Sequence, residues 1–228
     1  MGGCGLTPRR TAMVMRSPRV SDEPPWTVVE GIAGPDALLR LARSLGSPVR
    51  LPDGTYCRSL APRSRGEAPR RTFSKIHGRG VFPLHTDTAF WPTPARFVLL
   101  AHDGDGRRQT TLCSFDRFLA DLGPHMMVHV SGSVWRVPRN AGGFYCSMRF
   151  RVGNRVGWRY DPHNMIPVNR AARSVSDALR ERAQAGARHQ HDWGTNTALV
   201  VRNWSCLHGR ASEPPDEGPR TIHRIYVR

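Results

Sequence analysis

The chain has 228 residues, of which 39% are hydrophobic, and it carries a formal net charge of +16 at pH 7. This length suits one domain with a buried core. Five cysteines without a CxxC pair indicate neither a disulfide framework nor a cysteine-based zinc site, and no apolar run approaches the roughly 18 residues of a membrane span. We therefore expect a soluble, cytoplasmic protein without a membrane partner.

The positive charge is almost entirely arginine, because Lys75 is the only lysine. The arginines are scattered along the chain and are not grouped with aromatic residues as in a base-stacking platform. We therefore expect a small-molecule partner in preference to nucleic acid.

The sequence pattern of the N-terminal part of the chain indicates a disordered arm, a helix and a loop. Residues 1–25 combine Gly, Pro, Arg and Ser without apolar periodicity, which predicts a disordered arm before a single domain over residues 26–228. From Gly34 to Leu45 apolar residues recur at helical spacing. Residues 58–71 are rich in Arg and Pro and predict a polar loop.

The rest of the chain consists of short apolar runs separated by turn-forming residues. Helices are predicted at Phe115 to Leu122 and Ser174 to Ala187. The segment from His189 to Asp192 is polar and predicts a surface loop. Strands are predicted at Phe97 to Ala101, Thr110 to Phe115, Val128 to Val137, Phe144 to Phe150, Thr197 to Val201 and Thr221 to Val227. Many short strands and few helices predict a mainly β fold, a jelly roll or barrel with flanking helices.

His85 and Asp87 form an HxD triplet directly after Pro83-Leu84. In an extended chain residues i and i+2 point to the same face, so the imidazole and the carboxylate can converge on one point. A second imidazole from elsewhere would complete the two-histidine, one-carboxylate set that binds Fe(II). A catalytic zinc ion could use the same three ligands.

The last predicted strand carries two arginines on one face. With a period of two, Arg220, Ile222, Arg224 and Tyr226 share that face. A buried guanidinium must be paired, so this face indicates an anionic ligand such as a carboxylate bound bidentately.

Three of these features together resemble a known family. The His85-Thr86-Asp87 triplet, the Leu207-His208-Gly209-Arg210 segment and the strand from Arg220 to Arg224 are similar to the TauD/TfdA and clavaminate-synthase-like Fe(II)- and 2-oxoglutarate-dependent oxygenases. The resemblance spans roughly residues 73–228. It implies a double-stranded β-helix, or jelly-roll, core with His85, Asp87 and His208 as the iron ligands.

The resemblance also implies roles for residues around the metal. Arg220, which follows His208 by 220 − 208 = 12 residues, would bind the far carboxylate of 2-oxoglutarate together with Thr111. Arg224 would bind an anionic group of the primary substrate. Arg159, in an Arg-Tyr-Asp element, and His77, in a loop with nearby glycines, are further candidate substrate contacts.

The implied reaction uses Fe(II), O2 and 2-oxoglutarate as co-substrate. It hydroxylates an unactivated C–H bond of a small polar molecule, such as an amino acid or a natural-product precursor, and releases succinate and CO2. Two alternatives stay open: an oxygenase of nucleic-acid bases and a catalytically inactive metal-binding protein of the same fold. A zinc hydrolase would leave Arg220 without a role.

Overall fold

The computed structural model describes residues 24–61, 63–69, 72–103, 108–139, 142–184, 189–212 and 221–228. Residues 1–23 of the predicted arm and the clamp residue Arg220 lie outside these ranges. The described helices are α1 (Gly34–Leu45), α2 (Phe73–His77), α3 (Phe115–Ala120), α4 (Pro124–Gly132) and α5 (Arg170–Gln184). The described strands are β1 (Trp26–Glu30), β2 (Cys57–Leu60), β3 (Phe82–His85), β4 (Phe97–Asp103), β5 (Thr110–Ser114), β6 (Trp135–Arg139), β7 (Gly142–Cys146), β8 (Arg149–Val152), β9 (Arg155–Trp158), β10 (Ile166–Pro167), β11 (His189–His191), β12 (Thr197–Arg202), β13 (Cys206–Arg210) and β14 (Thr221–Val227).

Two antiparallel sheets form the centre of the molecule. One has the strand order β1-β12-β4-β14-β2, and the other has the order β11-β5-β13-β3. Alternate residues of β4 and β12, including Val98 and Leu199, point inward and pack against Leu112 and Cys206 of the opposing sheet. This is the jelly-roll architecture predicted from the sequence.

The outer faces of both sheets are covered. Helix α1 lies on the five-stranded sheet, where its Leu38 and Ala42, one helical turn apart, pack against residues such as Leu99 and Ile225. The four-stranded sheet packs against α3, α4, α5 and the small β10-β6-β7 sheet through a larger apolar cluster around Phe115. With both outer faces covered, polar residues on the inner faces are enclosed between the sheets.

The structure confirms several predicted elements and corrects others. Helix α1 has the predicted bounds, and Pro35 and Asp36 begin it as expected for a helix N-terminus. The strand predicted from Val128 to Val137 is wrong in its first half, where Pro124 begins α4. An apolar run this short is compatible with either structure, and α4 is helical because it packs against α5.

Two predicted loops are partly strands. Residues 57–60 form β2 and pair with β14, and His189 to His191 form β11 and pair with β5. Both are edge strands of their sheets. Edge strands carry polar side chains and lack the apolar pattern on which the prediction depends. No helix among the described residues is long and apolar enough to cross a membrane.

Candidate metal centre

His85 and His208 are brought together by strand pairing. His85 ends β3, and its direct partner across the ladder is His208 of β13. Directly opposed residues project from the same face, and the two ring centroids are 4.6 Å apart. A residue far along the chain thus supplies the second imidazole that the HxD triplet lacks.

Asp87 completes the cluster from a turn directly after β3. Its Oδ1 lies 3.6 Å from Nε2 of His85, and its Oδ2 lies 3.7 Å from Nε2 of His208. All three residues are buried, and their candidate ligand atoms lie within 4.8 Å of one another. Within the described ranges this is the one group of three or more such residues, and its donors fit a divalent Fe or Zn ion.

Hydrogen bonds and charge prepare these groups to bind a cation. Nδ1 of His85 donates to the Pro83 carbonyl oxygen at 2.9 Å, so Nε2, which faces Asp87, is the ring atom that would bind a metal. Burial alone would lower the pKa of His85, but the hydrogen bond to Asp87 and the charge of that carboxylate raise it, so a bound metal would replace the proton on Nε2. Burial alone would raise the pKa of Asp87, but Arg224 and the two imidazoles hold it well below its usual range. Burial lowers the pKa of His208, which keeps that ring neutral. A carboxylate and a neutral imidazole are the forms that ligate metals.

Arg224 contacts the candidate metal carboxylate. Its Nη1 lies 3.1 Å from Oδ2 and 3.4 Å from Oδ1 of Asp87. As the two-residue period predicts, Arg224 points inward with Ile222 and Tyr226, while Ile225 packs on the opposite side of the sheet. The structure therefore gives Arg224 a charge-neutralising contact with Asp87, and its predicted substrate role stays a prediction.

Asn203 fixes the backbone of Asp87. Its Oδ1 accepts from the Asp87 backbone N–H at 2.8 Å, and its Nδ2 donates to the carbonyl oxygens of Asp87 and Ala95 at 2.9 and 2.8 Å. Asn203 is completely buried and directly follows Arg202, the last residue of β12 that pairs with β4. No role for Asn203 was predicted from the sequence, because only the tertiary fold shows that it lies against the HxD turn.

The turn that follows Asp87 is strained. Thr88 has a φ of 57°, in the left-handed region that a β-branched residue rarely adopts. Its Oγ1 accepts from the backbone N–H of Ala95 at 2.8 Å, which holds the turn closed. Strained backbone of this kind persists where surrounding contacts determine the conformation. Here the strained residue directly follows Asp87, so the same contacts hold the candidate metal ligand in place.

Replacing Asn203 with leucine should loosen this turn. Loss of three buried hydrogen bonds should lower the free energy of unfolding by about 3 kcal/mol, and metal affinity should fall by about tenfold because the ligand is no longer oriented. Asn169 is a matched control, since it also makes three bonds to backbone atoms. Denaturant unfolding and metal titration of both leucine variants should show that both lose stability and only Asn203→Leu loses metal affinity.

Thr111 does not share the face of the cluster. In the pairing of β13 with β5, His208 lies opposite Leu112, and Gly209 lies opposite Thr111. Neighbouring residues of a strand point to opposite faces, so Thr111 projects from the face opposite to that of His208. A Cβ added at Gly209 would lie 2.7 Å from Oγ1 of Thr111, which is consistent with this orientation. The structure thus separates Thr111 from the metal centre.

Thr110 lies on the inner face instead. It is buried, and its Oγ1 accepts from Nε1 of Trp193 at 3.2 Å. The ring of Trp193 in turn lies 5.8 Å from that of His102 on β4. The inner face therefore contains a second polar group of residues, two positions along β5 from the partner of His208.

His77 lies near the metal centre in an aromatic group. Its Nε2 is 2.7 Å from Nε2 of His163, and Phe73 contacts the rings of both His163 and His85. Burial and the neighbouring His163 lower the pKa of His77 to about 4, so the pair is neutral. His163 follows the Arg-Tyr-Asp element by two residues, and it was not among the residues predicted from the sequence.

Arg159 holds the turn after Asp87 from the other side. Its Nη1 donates to the carbonyl oxygens of Ala89 at 3.3 Å and Trp91 at 2.9 Å, and its Nη2 donates to that of Pro92 at 2.9 Å. These contacts are structural, and a substrate contact for Arg159 stays a prediction.

Comparisons with known proteins identify the architecture. No protein-family model and no curated protein matches the sequence. Among solved structures, asparagine oxygenase in complex with Fe(II), 2S,3S-3-hydroxyasparagine and succinate matches with a TM-score of 0.66 at 21% identity, over 83% of this chain and 63% of that one. PvcB from Pseudomonas aeruginosa matches with a TM-score of 0.65 at 19% identity, over 89% and 75% of the two chains.

A third match is the non-heme iron oxygenase OrfP in complex with Fe and alpha-ketoglutaric acid. Its TM-score is 0.64 at 19% identity, and the match covers 84% of this chain and 63% of OrfP. The fold is that of these oxygenases. The match spans less than two thirds of the length of the protein chain in each of these two complexes, of asparagine oxygenase and of OrfP.

Proposed function

We propose that the protein is an Fe(II)- and 2-oxoglutarate-dependent dioxygenase that hydroxylates an unactivated C–H bond of a small, amino-acid-like substrate. The observation that carries the proposal is the buried cluster of His85, Asp87 and His208 on the inner face of a jelly roll. Two imidazoles and one carboxylate leave the remaining coordination positions of an iron ion open for other ligands. The similarity in fold to iron oxygenases supports iron over zinc.

We assign the far carboxylate of 2-oxoglutarate to Arg220 and Thr110. Arg220 precedes the first residue of β14, and Thr110 replaces the predicted Thr111 because it shares the inner face with His208. Two residues along a strand span roughly 7 Å, so Thr110 is displaced from the metal ligands along the strand. A dicarboxylate could reach both groups at once, with one end at the metal and the other at Thr110.

The two threonines give a direct test of this assignment. Thr110→Val removes the inward hydroxyl and should weaken 2-oxoglutarate binding by about tenfold, the effect of one lost hydrogen bond to a charged group. Thr111→Val changes the same atoms on the opposite face and should leave the dissociation constant unchanged. Equilibrium titration of the iron-loaded protein measures both. The reverse ranking would restore Thr111 to the clamp.

Each protein group has a defined part in the reaction. Bound iron and 2-oxoglutarate supply the oxidation by O2, with succinate and CO2 as co-products. Asp87 remains a carboxylate because Arg224 and the imidazoles stabilise its charge. The Pro83 carbonyl oxygen fixes the tautomer of His85, and burial of the three ligands limits the access of water.

The substrate would bind beside Arg224 and the His77–His163 pair. Arg224 could bind an anionic group such as an amino-acid carboxylate, and the neutral imidazoles offer both donors and acceptors. The matched structures contain hydroxyasparagine and hydroxyarginine, which supports a free amino acid or a natural-product precursor as the substrate class. The described cysteines form no disulfide with one another, which agrees with a reducing cytoplasm.

A turnover assay tests the function. Succinate release from the iron-loaded protein should increase when a pool of free amino acids is added, and one amino acid should gain the mass of a single oxygen atom. Release that no small molecule stimulates, despite bound iron and 2-oxoglutarate, would favour the catalytically inactive alternative.

A further inference from the structure

A cavity of about 470 Å³ lies next to the turn that follows Asp87. It is lined by residues of β6, β7 and β8, by the loop between β7 and β8, by Arg159 directly after β9 and by Pro92. Three of its lining residues are Arg139, Arg149 and Arg159. None of its lining residues is acidic, and none belongs to the candidate metal centre. Three cations therefore surround one concave space that contains no carboxylate.

Arg159 is the buried member of this group. Its side chain contacts three backbone carbonyl oxygens and lies 4.7 Å above the ring of Phe150, and the residue is only 3% exposed. Burial lowers its pKa, and no described carboxylate lies within ion-pair distance. Buried charges in proteins are normally paired with an opposite charge, so a counter-ion is expected on its open side.

The other two arginines are exposed at the rim. Arg139 donates from Nη2 to the Phe90 carbonyl oxygen at 3.1 Å and lies 5.1 Å above the ring of Phe144. The side chain of Arg149, at the start of β8, makes no hydrogen bond or ion pair with any residue that the structure describes. Its five donors are available to a ligand in the cavity.

We propose that this cavity binds a small molecule that carries an oxyanion, a carboxylate or a phosphate, on an aromatic or otherwise apolar body. The oxyanion would lie between the guanidinium groups of Arg139 and Arg149 and compensate the buried charge of Arg159. The body would pack against Phe144 and Phe150, which line the same cavity. The volume falls in the range of small-molecule sites.

The site is distinct from the metal centre but adjoins it. Arg139 and Arg159 bond to carbonyl oxygens of residues 89–92, directly after the strained turn at Thr88. The proposal does not depend on the oxygenase reaction, because the metal ligands contribute nothing to this cavity.

Calorimetric titration of the full chain, stripped of metal with EDTA and then dialysed to remove the chelator, tests the proposal. The probes are hippurate and phenyl phosphate, with hippuramide as the neutral control and inorganic phosphate as the oxyanion without an aromatic body. We expect one of the two aromatic anions to bind in a one-to-one ratio and hippuramide not to bind. Which of them binds more tightly distinguishes a carboxylate ligand from a phosphate ligand.

Variants locate the binding. Arg149→Gln removes the guanidinium that has no described partner and should weaken probe binding by about tenfold. Arg151→Gln removes an equal charge from the same exposed strand but outside the cavity lining, and it should leave the affinity unchanged. No binding by either aromatic anion, equal loss in both variants, or loss only in Arg224→Gln would overturn the proposal.

Discussion

Asp87→Ala should abolish iron binding and turnover, and it should also destabilise the metal-free protein. The first effect follows because the carboxylate is the only acidic group of the candidate metal cluster. The second follows because Arg224 loses its partner at 3.1 Å and is left with a largely buried charge. Breaking such a pair costs about 3 kcal/mol.

A double variant separates these two effects. Asp87→Ala combined with Arg224→Met removes both charges, so it should recover most of the lost stability and still bind no iron. Urea unfolding in EDTA measures the stability, and anaerobic Fe(II) titration measures the binding. If Asp87→Ala binds iron as tightly as the wild type does, then Asp87 is not a metal ligand. A double variant no more stable than the single one would contradict the charge pairing.

Arg220→Ala should raise the dissociation constant of 2-oxoglutarate by about 100-fold, because the far carboxylate loses its charged partner. Iron affinity should stay unchanged, since this residue contributes no metal ligand. Equilibrium titration of 2-oxoglutarate into the iron-loaded, oxygen-free protein provides a readout that does not require turnover.

Arg228→Ala is the control for the loss of one arginine. Arg228 directly follows the same strand at its opposite end and lies above the ring of Trp91. This variant should bind 2-oxoglutarate as the wild type does. If Arg220→Ala has no effect and Arg224→Ala does, then Arg224 binds the co-substrate and Arg220 has no place in the clamp.

The sequence predicted the elements whose burial pattern is regular. Helix α1 shows helical spacing of apolar residues between clear start and stop signals, and β12 is a continuous apolar run whose four central residues are buried. Strand β14 has one apolar face against α1 and one mixed face toward the metal cluster, and the two-residue period separates them. In each case local periodicity and tertiary burial agree.

Elements that depend on distant partners were not predicted. Strand β11 is a strand because it pairs with β5, and nothing in its histidine-rich sequence indicates that partner. Helix α4 and the strand that follows it share one apolar run, which local pattern could not divide. Tertiary packing decides such segments.

In the candidate site, too, some residues could be predicted from the sequence and others depend on the tertiary fold. The triplet spacing and the resemblance identified His85, Asp87 and His208, because their order along the chain is itself a signal. The choice between Thr110 and Thr111 needed the register of β5 against β13, since a shift of one residue reverses the face. Asn203 contacts Asp87 from 116 positions away in the sequence, and His163 contacts His77 from 86 positions away. No local sequence pattern reveals contacts over such separations.

Anaerobic titration of Fe(II) followed by 2-oxoglutarate tests whether the protein binds the two groups that the proposed reaction requires. Chelation of the metal by the keto acid should produce a weak visible charge-transfer band that saturates at one equivalent and is absent from Asp87→Ala. Bound Fe(II) that gives no such band with 2-oxoglutarate would contradict the assignment of this protein as a 2-oxoglutarate-dependent oxygenase.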